Sequence, residues 1–292
     1  MSLDSMADIL HCMEQEGKEF WEVVLAADME ERQVSRESSL AKMLTTWQAM
    51  VDASDSYTGD RRSVSGLVGG DGLKMRQYAI RGKAMSGGYV SEVIAEALSM
   101  AESNACMRRI VAAPTAGACG VLPAVLLPLC KYEELNQRQI LEALYVASGI
   151  GAVIAYRACI AGAAGGCQAE IGTASAMAAA ALTHILGGTA QQCADAYAIA
   201  LGNLLGLVCD PVAGLVEVPC VKRNVIGAVN AVSAANMAVA GITSRIPVDE
   251  VIDAMGEVGD ALPASLRETG LGGLAATPTG RQAAERITRA EH

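Results

Sequence analysis

Cys167, Cys209 and Cys220 stand apart from the other cysteines of this 292-residue chain because glycine and proline punctuate the sequence around each of them. They lie in Gly165-Gly-Cys-Gln-Ala-Glu-Ile-Gly172, Val208-Cys-Asp-Pro-Val-Ala-Gly214 and Glu217-Val-Pro-Cys-Val-Lys-Arg-Asn224. Irregular backbone off the helices lets a metal reach a thiolate from solvent. Structural zinc recruits close pairs such as Cys-x-x-Cys, and the chain has none; iron–sulfur sites accept wide spacing. Three thiolates also leave a coordination position open, as catalytic metal sites require. The competing reading is that these cysteines are buried small hydrophobes, the usual fate of a free thiol. Spacing alone leaves both readings open. Packing is the better reading for Cys12, Cys106, Cys159 and Cys193, each inside a helical pattern, while Cys119 and Cys130 suit either.

Glu170 follows Cys167 by one helical turn and faces the same side if that segment is helical. In Ala113-Pro-Thr-Ala-Gly-Ala-Cys-Gly-Val-Leu-Pro123 the small residues Thr115, Ala116 and Gly117 let backbone amides approach an anion, with Ser103 and Asn104 in support. The plainer alternative is a tight interhelical turn. Arg223 and Asn224, just after Cys220, are candidates to balance thiolate charge. Histidine is the natural base near neutral pH, but His11, His184 and His292 are the only three, and none lies in a motif. His184, in an apolar helix, reads as a hydrogen-bonded core residue.

The elements that position these groups read as helices. Apolar residues recur at helical spacing from Leu3 to about Arg32 and again from Ser35 to about Val51. A Ser, Gly and Asp cluster from Asp52 to Gly72 is the best boundary. It divides an N-terminal helical surface or docking segment, 1–65, from a helical catalytic domain, 66–292, unless the two form one continuous domain. Ser91 is placed to cap a helix to Arg109, and Pro123 to open another. Asn136 with Gln139, and Thr189 with Gln192, have the capping-box arrangement. Thr173–Leu186 and Asn224–Thr243 are rich in Ala and Gly on every face and read as buried. Pro247 opens a helix to about Val258, and Thr269–Gly280 is too rich in glycine for regular structure.

Composition agrees with an all-α fold. The chain is 52% hydrophobic but only 3% aromatic, with 30 glycines, so its core is built from small aliphatic side chains in closely packed helices. A formal charge of −10 argues against a nucleic-acid surface or an anionic membrane face. Polar residues such as Arg157, Asn203, Asn230 and Asn236 interrupt the apolar runs, which argues against membrane spans. Acidic residues near the N-terminus do not suit a signal peptide, and nine cysteines without a secretory signal do not suit a disulfide framework, so the expected compartment is the cytoplasm.

The three cysteine and Pro-Thr-Ala-Gly strings, with Gly66-Leu-Val-Gly-Gly-Asp71 and Leu266-Arg-Glu-Thr-Gly-Leu-Gly-Gly-Leu-Ala275, resemble the iron–sulfur-dependent L-serine dehydratases, in particular the α chain of the two-chain form. The resemblance implies a helical catalytic domain holding a [4Fe-4S] cluster through Cys167, Cys209 and Cys220, with one iron free for L-serine. It also implies a separate β chain in a heterodimer or higher oligomer, because single-chain relatives carry a regulatory domain absent here. Those relatives end in a cysteine, so a C-terminal thiolate on the open iron does not transfer. The implied reaction is deamination of L-serine to pyruvate and ammonia without pyridoxal phosphate, a step in amino-acid degradation and gluconeogenesis. Its α-proton base is Glu170 or a residue of the β chain. Two rivals remain: a desulfidase acting on L-cysteine, and a non-catalytic helical scaffold or membrane-associated subunit.

Overall fold

The computed structural model describes residues 3–82 and 84–290, and among them it holds thirteen α-helices and no strand. Ser5 caps α1 (Met6–Glu16) by accepting the Asp8 amide at 3.0 Å, and Gly17 ends it in the left-handed region at φ 63°. Glu19 and Glu22 then form a reciprocal capping box for α2 (Phe20–Arg32). The single run expected from Leu3 to Arg32 is therefore two helices, because a glycine just past the helix end satisfies a terminal carbonyl while turning the chain. Ser35 caps α3 (Arg36–Asp55), which continues beyond Val51.

Glu102 explains the glycine-rich segment that follows. Buried in α5 (Gly87–Ala105), it accepts the amides of Gly70, Asp71 and Gly72 at 3.1, 2.8 and 3.3 Å, at the start of α4 (Asp71–Ile80). A carboxylate there satisfies orphan donors and complements the helix dipole. Ser91 is not a cap: α5 starts ahead of it, and its hydroxyl bonds back to the Gly87 carbonyl within the first turn. Likewise α6 (Val121–Tyr132) opens ahead of Pro123, which sits where a missing N–H loses no intrahelical partner.

The remaining helices are α7 (Gln137–Arg157), α8 (Gly162–Gly165), α9 (Thr173–Ile185), α10 (Ala190–Gly202), α11 (Cys220–Val239), α12 (Val248–Ala261) and α13 (Pro278–Ala290). Both capping boxes read from the sequence are formed, by Asn136 with Gln139 and by Thr189 with Gln192. Helix α9 is the axis of the molecule. Ala174, Ala176 and Ala178 through Ala181 are fully buried, and such small side chains let α7, α10 and α11 pack directly against it. Asn230 and Ser175 tie helices together in this interior: Asn230 donates to Ser175 Oγ at 2.9 Å and to the Ala200 carbonyl at 2.8 Å, and Ser175 donates to the Gly227 carbonyl at 2.7 Å.

Phe20 and Val24 of α2 pack on Gly149 of α7, and Met6, Ile9 and Trp21 join the same hydrophobic cluster as α9. Helix α11 begins at Cys220, earlier than the expected Asn224. The stretch from Thr269 contains a short 3₁₀ turn, but α13 opens inside it at Pro278 and forms a helix where the sequence reading has none. Among the described residues α7 alone is long and apolar enough to cross a membrane, and 67% of its apolar window is buried inside the fold.

Candidate active site

Three chain segments build one corner beside the N-terminus of α9. The first carries Cys167, which stands at the start of a single π turn, Gln168–Gly172, running into α9. Such turns are rare and concentrate at functional sites. Gln168 locks it in place. Fully buried, its side chain donates to the Met255 carbonyl of α12 at 3.0 Å and accepts the Gly206 amide at 2.8 Å, while its own amide donates to the Leu207 carbonyl at 2.9 Å.

The second segment carries Cys209 in extended backbone. Its amide donates to the Leu266 carbonyl at 2.8 Å, and its carbonyl accepts the Glu268 amide at 2.7 Å, making an isolated bridge opposite Arg267. Neighbouring Asp210 is buried and accepts from Arg223 Nη2 at 2.8 Å and from the Leu274 amide at 2.7 Å. Arg223 Nη1 adds a 2.7 Å bond to the Val208 carbonyl. One guanidinium thus fixes the backbone on either side of Cys209.

The third segment is the start of α11, where Cys220 is the first helical residue and not part of a loop as expected. A helix start serves a ligand as well as a loop does, because Pro219 ahead of it bends the chain and the first turn stands open. Asn224, one turn on, accepts the Gly120 amide at 2.8 Å and donates to the carbonyls of Gly117 at 2.8 Å and Cys220 at 3.0 Å. It ties the Pro-Thr-Ala-Gly loop to α11.

These braces bring Cys167 Sγ, Cys209 Sγ and a Glu170 carboxylate oxygen within 4.8 Å of one another. Cys220 lies outside that group but near enough to feel the charge of Cys167. A hydrogen bond from Cys209, together with the Arg223 guanidinium, holds the Cys167 thiol below its ordinary value, and Cys209 is pushed up in consequence. Burial raises Cys220 to about 12 and lifts the Glu170 carboxyl above the usual carboxylate range. Space at this corner depends on glycine. A Cβ on Gly162 would sit 2.8 Å from Glu170 Oε2 and 3.0 Å from Cys209 Sγ, and one on Gly117 would sit 3.3 Å from both Glu170 oxygens.

The Thr115 hydroxyl is buried against the Glu170 carboxylate and favours its charged form, opposing the larger effect of burial. Among the described residues the amides of Ala116 and Gly117 donate to nothing, since the 3₁₀ turn they open closes through Ala118 and Cys119. Asn104 supports this loop by donating to the Ala116 carbonyl at 3.1 Å. Ser103 faces elsewhere, into a cavity of 10 Å³ shared with Gly69, Gly70 and Cys106.

Cys119 is buried against the Met100 carbonyl, and Cys193 is buried in α10. Cys159 lies in the turn after α7 and not within a helix, because α7 ends at Arg157. His11 is exposed on α1, His184 lies at the far end of α9, and His292 falls outside the described residues. Sequence reasoning passed over Gln168, Asp210 and Glu268, although each sits inside or beside a quoted motif. The available signal was a polar residue directly flanking a cysteine, or a carboxylate ahead of Thr-Gly.

The donor set suits a metal ion or cluster. Two buried thiols, Cys167 and Cys209, meet from distant segments with a carboxylate among them, a third buried thiol, Cys220, and a guanidinium lie nearby, and all nine cysteines are free. Comparison with known proteins decides the family. A family model described as serine dehydratase alpha chain matches residues 15–275. The chain belongs to this family. It is 49% identical over 266 residues to a protein of Bacillus subtilis named probable L-serine dehydratase, alpha chain, covering 91% of this chain and 89% of that one. The L-serine dehydratase, alpha chain of Peptoniphilus asaccharolyticus is 41% identical over 281 residues, 96% of both chains. L-serine dehydratase 2 of Escherichia coli is 48% identical over 181 residues, which are 61% of this chain and 40% of that protein.

Proposed function

We propose that this chain is the catalytic α chain of an L-serine dehydratase, acting on L-serine with a β chain in the cytoplasm. The observation that carries the reading is the meeting of Cys167, Cys209 and Glu170 within 4.8 Å, inside the motifs of this family. Relatives named alpha chain support a β partner, and free cysteines suit a reducing compartment.

Cys167, Cys209 and Cys220 would hold a [4Fe-4S] cluster. When bound, it supplies a Lewis-acidic iron for the departing hydroxyl, with no need for pyridoxal phosphate. The free amides of Ala116 and Gly117, with the Thr115 hydroxyl beside them, receive the substrate carboxylate. Asn104 and Asn224 hold that loop in place, while Ser103 faces away from it and takes no part. Arg223 fixes the backbone of Cys209 and offsets thiolate charge. Glu170 occupies the proton-handling position beside the sulfurs, while a base of the β chain removes the α-proton. Loss of that proton and of the β-hydroxyl leaves aminoacrylate, which tautomerises and takes up water to give pyruvate and ammonia. Residues 1–65 form a helical layer against the catalytic body of residues 66–292.

The test is pyruvate formation from L-serine by anaerobically reconstituted α chain, alone and with its β chain. Turnover is expected only from the pair. Full turnover by the α chain alone would return the base to Glu170. Pyruvate and sulfide from L-cysteine, with none from L-serine, would make the protein a desulfidase instead.

A further inference from the structure

Glu268 is a carboxylate the proposed chemistry does not yet use. It lies opposite Cys209, held by the 2.7 Å bond from its amide to the Cys209 carbonyl, and it adopts φ 62°, a left-handed conformation costly for a residue with a Cβ. Strain of this kind persists where surrounding structure imposes it, and here the bridge on one side and Gly270 on the other impose it. The neighbouring Arg267 does not neutralise it, since that guanidinium turns toward the Ala164 carbonyl at 3.5 Å. Among the described residues the Glu268 carboxylate has no hydrogen-bond or ion-pair partner. It is half-buried, and its charge reaches both Glu170 and Cys209.

We propose that the Glu268 carboxylate receives the α-ammonium of the amino-acid substrate. This rests on the L-serine reading and extends it. Gly117 of the Pro-Thr-Ala-Gly loop lies against Glu170, and Glu268 belongs to the segment bridged to Cys209, whose sulfur is within 4.8 Å of a Glu170 oxygen. Free amides on the first and an unpaired carboxylate on the second match the two ends of a zwitterion. The Arg223 guanidinium of this corner is committed to Asp210 and the Val208 carbonyl, so the Glu268 carboxylate is left for an ammonium group. A small α-amino acid fits; the corresponding hydroxy acid lacks the group that Glu268 would hold.

The experiment compares the reconstituted two-chain enzyme with its Glu268→Gln and Glu268→Asp variants, using L-serine as substrate and L-glycerate, which carries hydroxyl in place of ammonium, as competitive inhibitor. Glu268→Gln is expected to raise KM for L-serine at least about 10-fold, the scale of losing one partner of a charge pair. Inhibition by L-glycerate and iron content should stay unchanged, and Glu268→Asp should recover part of the loss. An unchanged KM, equal weakening of L-serine and L-glycerate, or loss of iron from Glu268→Gln would overturn the assignment. Absence of serine turnover in the unmodified enzyme would instead overturn the L-serine reading, so the two failures are distinguishable.

Discussion

The two ends of α9 both bury titratable side chains, yet only one is built as a site. At its C-terminus His184 Nε2 lies 4.0 Å from Glu142 Oε2 of α7, and Glu142 is already engaged by Arg138 at 2.6 Å. Burial pushes the imidazole down, and its surroundings are two helices with their polar groups in ordinary use. At the N-terminus the helix is preceded by a π turn, and the segments around Thr115, Cys209, Cys220 and Glu268 close on it. Together they bring groups left open: two amides, thiols and a carboxylate. A perturbed group alone marks neither end as functional. Convergence of unfilled donors and acceptors from separate segments does.

That contrast can be broken in graded steps. Cys167→Ala, Cys209→Ala and Cys220→Ala should each lose more than about 100-fold in serine turnover, beyond the usual cost of disturbing an outer-shell partner. Each should also lose iron by colorimetric assay, while Cys159→Ala and His184→Gln do neither. Glu170→Gln should lower kcat about 100-fold, the lower range for a proton-transfer group, with iron retained. If His184→Gln proved as damaging as Glu170→Gln, the distinction between the two ends would collapse.

Gln168→Ala sharpens the comparison on the stability side. It leaves the Gly206 amide and Met255 carbonyl without their buried partner and should cost about 1–3 kcal/mol in denaturant unfolding of the metal-free chain. The smallest effect belongs to the far end. Because the folded His184 pKa lies below 6.5, the unfolded chain binds more protons at acidic pH. Stability is therefore full above pH 6.5 and falls as pH drops from there toward the folded value. Thermal melts should show stability falling across that window, and His184→Gln should flatten it.

Much of the helical framework was legible because its signals are local. Asn136 and Thr189 sit beside their capping partners, and the alanine-rich pattern of α9 announces burial on every face. The missed starts have local causes too. Gly17 lies inside the run read as one helix, and Pro219 reads as loop punctuation before Cys220, because glycine and proline mark both loops and helix ends. The π turn was not legible, since one inserted residue hardly disturbs an apolar period. Neither was the role of Glu102 or Asn224, whose partners lie on other elements. For the site, the quoted motifs pointed to the residues that meet, Cys167, Cys209 and Glu170. What stayed hidden was the bracing by Gln168 and Asp210 and the open carboxylate of Glu268, all products of tertiary approach.

The bridge between Cys209 and Leu266–Glu268 also orders events during biosynthesis. A nascent chain exposes Cys167, then Cys209, long before the segment that braces the second thiol leaves the ribosome, and Leu274 follows later still to reach Asp210. Non-local contacts of this kind form late, after the intervening loop has been closed. A metal held there would have to wait for the segment through Leu274, and a product terminated before it would carry Cys167, Cys209 and Cys220 yet lack the bridge that braces Cys209.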